Sequence, residues 1–203
     1  MRPSLWNIPN VLTLLRVACI TVLVLVAYSG WPHHDGLCAL IFALAAVTDW
    51  LDGYLARALH QTSAFGRFLD PVADKLMVAA ALIILVDGQH SVFLVIPAIV
   101  IVAREITISA LREWMAEIGK RASVAVSYIG KLKTAAQMLA ITLLLAEPPL
   151  RDGQGHLVLD RWGLGSYGLL YAAVILTLWS MLIYLRAAWP DLRLSDGREI
   201  DQG

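Results

Sequence analysis

Asp49-Trp50-Leu51-Asp52-Gly53-Tyr54-Leu55-Ala56-Arg57 and Gly66-Arg67-Phe68-Leu69-Asp70-Pro71-Val72-Ala73-Asp74 bring four aspartates to the facing ends of two apolar segments. In a helix Asp49, Asp52, Gly53 and Ala56 share one face, because their offsets of 0, 3, 4 and 7 follow the helical period. Asp70 and Asp74, at i and i+4, share a face of the second segment. Four carboxylates converging from two helices repel one another and are poorly solvated unless cations lie between them. The pattern therefore predicts divalent metal and, with it, phosphate chemistry.

The scarcity of charge elsewhere gives these aspartates their weight. Of 203 residues, 59% are hydrophobic and 16% charged, with a mean hydropathy of +0.68. Soluble domains carry about 25% charged residues, so the chain reads as a membrane protein. A single aspartate near a helix end is commonly a cap or a rim residue; ionisable groups at membrane depth are costly and mark function. The net charge is zero, which removes the general electrostatic case for nucleic acid. Cys19 and Cys38 lie in apolar surroundings without metal-ligand spacing and read as packing residues.

A hydrocarbon core about 30 Å thick takes about 20 helical residues, fewer where polar ends reach the interface. Six segments qualify: Val11 to Tyr28, Leu37 to Ala58, Asp70 to Val86, Ser91 to Trp114, Ser127 to Ala146, and Ser166 to Leu185. The first is too long for a signal-peptide core and contains Arg16, so it is expected as a retained helix. The connections 31–36 and 87–90 lack Lys and Arg, and 147–165 has only Arg151 and Arg161 against three acids. Arg57 and Arg67 lie between the second and third segments; Arg112, Lys120, Arg121, Lys131 and Lys133 lie in or beside the connection between the fourth and fifth. The positive-inside rule then puts both termini and the aspartates in the cytoplasm. The expectation is an all-α, polytopic fold with six transmembrane helices, forming one membrane domain over residues 1–203.

Asp70 followed by Pro71 has the form of an N-cap with proline at N1, which predicts that the third helix starts there with its amides aimed at the cluster. The polar chain from about Pro190 reads as a solvated, frayed tail. His33 and His34 fall on the side away from the aspartates and are assigned no chemistry.

Two polar stripes mark the fourth and fifth helices. Gly130, Lys133, Thr134 and Gln137 repeat the 0, 3, 4, 7 spacing, and Glu105, Ser109 and Arg112 form a second stripe. Such stripes face the bundle interior or a wet cavity. Arg112 and Lys133 are candidate phosphate ligands, one a fork and the other a point charge; internal salt bridges with Glu105 or Glu113 are the other reading. Lys120, Arg121 and Lys131 are weaker candidates, since a basic loop also satisfies topology and attracts anionic lipid.

The spacing Asp49, Asp52-Gly53, Ala56-Arg57, Gly66, Asp70, Asp74 resembles, without departure, the signature of the CDP-alcohol phosphatidyltransferases. Asn7-Ile8-Pro9-Asn10, Thr13 and Arg16 are similar to the family's opening of its first helix. Arg104-Glu105, Ser109, Leu111 to Ala116, Gly119-Lys120-Arg121, Gly130-Lys131, Lys133-Thr134 and Gln137 resemble its bacterial phosphatidylglycerophosphate synthase branch. Beyond about Ala146 the likeness is mainly one of hydropathy.

The resemblance implies that Asp49, Asp52 and Asp70 hold two divalent cations, Mg2+ or alternatively Mn2+, on the diphosphate of CDP-diacylglycerol. Asp74 completes that site and acts as general base. It implies a donor site of Asn10, Gly53, Ala56, Arg57 and Gly66, and an acceptor, sn-glycerol 3-phosphate, held by Arg112 and Lys133 with Arg121 and Lys131. It also implies a homodimer in the bacterial inner membrane, in contact with membrane lipids, with the site facing the cytoplasm. Another acceptor, such as phosphatidylglycerol or an inositol phosphate, would use the same chemistry; the cations of the fourth and fifth helices favour a phosphorylated one. A cation or metabolite transporter would instead place its acids near the bilayer midplane, whereas these lie toward one edge.

Overall fold

The computed structural model describes residues 8–58, 64–119, 128–148, 150–151, 157–158 and 161–199, with side chains described outside 8–10, 50–58, 64–65, 67, 128–131, 150–151, 157–158 and 192–199. They form six helices: α1 (Ile8–Ala27), α2 (His34–Ala58), α3 (Ala64–Gln89), α4 (Val92–Glu117), α5 (Tyr128–Ala146) and α6 (Arg161–Glu199). Between α5 and α6, β1 (Leu150–Arg151) pairs antiparallel with β2 (Leu157–Val158), Leu150 opposite Val158. This two-residue ribbon is the one departure from an all-helical fold among the described residues.

Apolar periodicity explains the packing. α1 lies against α2 and α3, α2 against α5, α5 against α6, and α4 against α3 and α6. Phe42, Leu82, Leu94, Ile101, Ile141, Leu144 and Leu170 form a continuous core, and Ile108, Leu111, Met115, Tyr184 and Ala188 form a second cluster where α4 meets α6. The outer faces are apolar too: Leu25, Ile83, Ile99 and Ile175 are each more than 60% exposed. Water would not tolerate so much open aliphatic surface, and lipid covers it without cost. Val92–Glu117 and Arg161–Asp191 are long and apolar enough to cross a membrane. With that exterior they fit a membrane protein.

The start of α3 and the end of α6 differ most from the sequence expectation. α3 begins at Ala64, so Asp70 is no N-cap and Pro71 lies inside the helix. Its first amide, that of Ala64, is then about 9 Å along the axis from Asp70. Pro71 is tolerated because its φ suits a helix and the single backbone bond it forfeits falls near the polar end; Pro97 sits similarly inside α4. α6 likewise runs through Pro190 to Glu199 where a frayed tail was expected.

Candidate active site

α1, α2 and α3 build the first half of the site. Asp49 projects from α2 and Asp74 from α3, and Arg16 of α1 lies between them, its Nη1 2.9 Å from Asp49 Oδ1 and 2.8 Å from Asp74 Oδ1. Thr13, one turn before Arg16, donates its hydroxyl to Asp70 Oδ1. Thr13 and Arg16 are both buried, while the Asp49 and Asp74 side chains are 41% and 39% exposed. The carboxylates are thus held from behind by α1 and open on the other side. Lys75 turns back to the Pro71 carbonyl at 2.8 Å.

Asp52, Gly53, Ala56 and Arg57 follow Asp49 along α2, so the backbone keeps all of them on its helical register; their side chains lie outside the described set. Gly66 is buried in the first turn of α3. Asn10 stands in the first turn of α1, its side chain also outside the described set. Among the described residues no three His, Cys, Asp or Glu side chains could by themselves hold a metal ion. The donor set still suits a hard cation: it is all oxygen and open on one side, and Mg2+ commonly takes one or two carboxylates and completes its shell with phosphate oxygens and water.

The second half comes from α4, α5 and α6. Glu105 Oε1 accepts from Lys133 Nζ at 2.6 Å and from Arg104 Nη1 at 2.9 Å. Arg104 also donates to Ser180 Oγ at 2.9 Å, and Arg112 to the Tyr184 hydroxyl at 2.8 Å, with its guanidinium 4.9 Å from the Tyr184 ring centre. Arg104 and Lys133 are buried. Two cations share the Glu105 carboxylate and Arg112 is held by a neutral tyrosine, so among the described residues the group carries positive charge in excess. The buried Nε atoms of Arg104 and Arg112 have no hydrogen-bond partner among the described residues. Such a group is suited to an anion.

Lys133 therefore makes the internal ion pair with Glu105 that was its alternative reading. Arg112 instead uses a tyrosine, and Glu113 is exposed. On α5 the polar stripe divides: Lys133 and Gln137 are buried, whereas Thr134 is exposed. Lys131 lies in the first turn of α5 with its side chain outside the described set, and Lys120 and Arg121 lie outside the described residues. Met138 of α5, just over one turn beyond Lys133, borders the void between Arg16, Asp49 and Asp74.

Arg104, Ser180 and Tyr184 received no role from sequence reasoning. A signal for the last two existed, since Thr177, Ser180 and Tyr184 repeat offsets of 0, 3 and 7 within the apolar run of that helix. At the opposite end, a cavity of about 270 Å3 is bordered by Tyr28, His34, Asp35, Asp87 and Gln89. There the Tyr28 hydroxyl donates to Asp87 at 2.8 Å.

The sequence model of the CDP-alcohol phosphatidyltransferase family matches residues 6–183. A protein of Pectobacterium atrosepticum named CDP-diacylglycerol–glycerol-3-phosphate 3-phosphatidyltransferase is 54% identical over 187 residues, which cover 92% of this chain and 97% of that protein. Proteins of the same name from Yersinia pestis and Sodalis glossinidius are 53% and 55% identical over 186 residues, with the same coverage.

Proposed function

The chain belongs to the CDP-alcohol phosphatidyltransferase family, and from that premise we propose that this transferase moves the phosphatidyl group of CDP-diacylglycerol to sn-glycerol 3-phosphate, giving phosphatidylglycerophosphate and CMP. The observation that carries the choice of acceptor is the cation-rich group of Arg104, Arg112 and Lys133 on α4 and α5. A neutral acceptor would gain little from so much buried positive charge, whereas a phosphate offsets it.

In this reading Asn10, Gly53, Ala56, Arg57 and Gly66 line the donor site, the small residues admitting the nucleotide and Arg57 lying near its diphosphate. Arg112 and Lys133, with Arg121 and Lys131, hold the acceptor phosphate. Asp49, Asp52, Asp70 and Asp74 would hold two divalent ions, Mg2+ or Mn2+, whose charge offsets that of the diphosphate. Asp74 takes the proton from the acceptor's C1 hydroxyl. The oxygen then bonds to the lipid-linked phosphorus as the bond from that phosphorus to the CMP oxygen breaks, and CMP leaves.

The donor's acyl chains stay in the bilayer. All six helices span the bacterial inner membrane as a single domain, with both termini and the site in the cytoplasm, which the Lys and Arg distribution supports. The protein works as a homodimer, for which the apolar groove of about 500 Å3 between α3 and α4 is the candidate contact face; cross-linking of Ile99→Cys in membranes tests it. The reaction is tested by following CMP release and lipid product from glycerol 3-phosphate with purified protein.

A further inference from the structure

Arg16 comes from α1, far in sequence from the aspartates, yet its guanidinium ends between two of them. It is 3% exposed. A guanidinium withdrawn from water is tolerable because carboxylates compensate it, and two neighbouring carboxylates at a membrane edge are tolerable because a cation separates them. One nitrogen, Nη1, serves an oxygen of Asp49 and an oxygen of Asp74, which is the arrangement of a bridging cation rather than a fork committed to one carboxylate. A void of about 10 Å3 lies beside it, bordered by Ala45, Ala46, Met77 and Met138.

We propose that Arg16 is the resident counter-cation of the aspartate site: it holds Asp49 and Asp74 together across three helices when the divalent ion is absent, and competes with that ion for the same two oxygens. The inference rests on the metal-dependent reading above. It makes Arg16 a positioning residue that acts through the two carboxylates, with two consequences of opposite sign. Without its charge, the metal-free site holds unbalanced negative charge and loses stability. The ion, no longer opposed by a fixed positive charge a few ångströms away, binds more tightly. An arginine that only packed would cost the same stability with or without metal.

The test uses purified full-length protein as wild type, Arg16→Met, which keeps the apolar stem of the side chain without the guanidinium, and Arg16→Gln, which keeps hydrogen bonding without charge. Thermal midpoints are measured in EDTA and in Mg2+, and Mn2+ binding is followed by electron paramagnetic resonance. Both variants should melt below wild type in EDTA and recover most of that deficit in saturating Mg2+, because ligand binding to the native state adds stability in proportion to its affinity. Their Mn2+ Kd should fall about tenfold. A deficit of equal size in EDTA and Mg2+, or a Mn2+ affinity equal to or below that of wild type, overturns the proposal; if one variant does not fold, the other decides. Wild type that neither binds Mn2+ nor gains stability from Mg2+ would overturn the metal reading and this inference together, whereas wild-type binding with unchanged variants overturns this inference alone.

Discussion

Lys133 on α5 and Glu105 on α4 meet at 2.6 Å, and Arg104 reaches the same Glu105 oxygen at 2.9 Å. Lys133 is buried while the Glu105 side chain is one-quarter exposed, so the pair is tied more to the interior than to solvent. Removing one partner of a buried pair leaves an uncompensated charge and costs about 3 kcal/mol. Glu105→Gln should therefore lower the thermal midpoint, and adding Lys133→Met should restore part of the loss. A double variant as unstable as the sum of the two singles would show that the contact is not coupled.

Arg112 is held by the Tyr184 hydroxyl and ring together. Arg112→Ala should raise the KM for glycerol 3-phosphate far more than that for CDP-diacylglycerol, since losing uniform binding to one substrate raises its KM first. Arg112→Lys should recover only part, because an ammonium lacks the fork. Tyr184→Phe keeps the ring and loses one hydrogen bond worth about 1 kcal/mol, so a roughly fivefold rise in the same KM is expected. Steady-state kinetics with each substrate varied in turn decides it.

Asp74→Asn keeps the size of the side chain and removes the base. Turnover should fall by at least ~10²-fold while CDP-diacylglycerol still binds. Near-native turnover in this variant would move the base elsewhere.

Asp49→Ala, Asp52→Ala or Asp70→Ala, or excess EDTA on the wild type, should abolish turnover with helix content and membrane insertion intact. Circular dichroism and membrane fractionation check the second half of that statement. Normal rates in EDTA would exclude the two-ion reading.

The six helices were legible because each apolar run is bounded by a basic or a polar connection, and a bundle needs little more than that pattern. The start of α3 was misread because Asp70-Pro71 satisfies the local rule for a helix beginning, while the residues from Ala64 onward continue the helix through the proline. The tail after Pro190 was misread because its polar, charged composition reads as solvated chain, while α6 continues through the proline to Glu199. The facing of Asp49 and Asp74 followed from spacing alone, but the group between them did not. Arg16 lies on another helix, and which cation enters a carboxylate pair is decided by packing between α1, α2 and α3. Ser180 and Tyr184 were hidden for a related reason: on an apolar helix a hydroxyl reads as neutral until the partner across the bundle, here Arg104 or Arg112, is placed. Thr134 shows the converse, since sharing a stripe with Lys133 and Gln137 did not bring it inside.

The most direct test of the assigned reaction is acceptor choice. Protein reconstituted in liposomes with CDP-diacylglycerol and Mg2+ is offered labelled glycerol 3-phosphate, phosphatidylglycerol or inositol phosphate in separate reactions, with CMP and lipid product both quantified. The expected result is CMP and phosphatidylglycerophosphate in equal amounts from glycerol 3-phosphate, with no lipid product from the other two. Lipid product from another acceptor and none from glycerol 3-phosphate would contradict it.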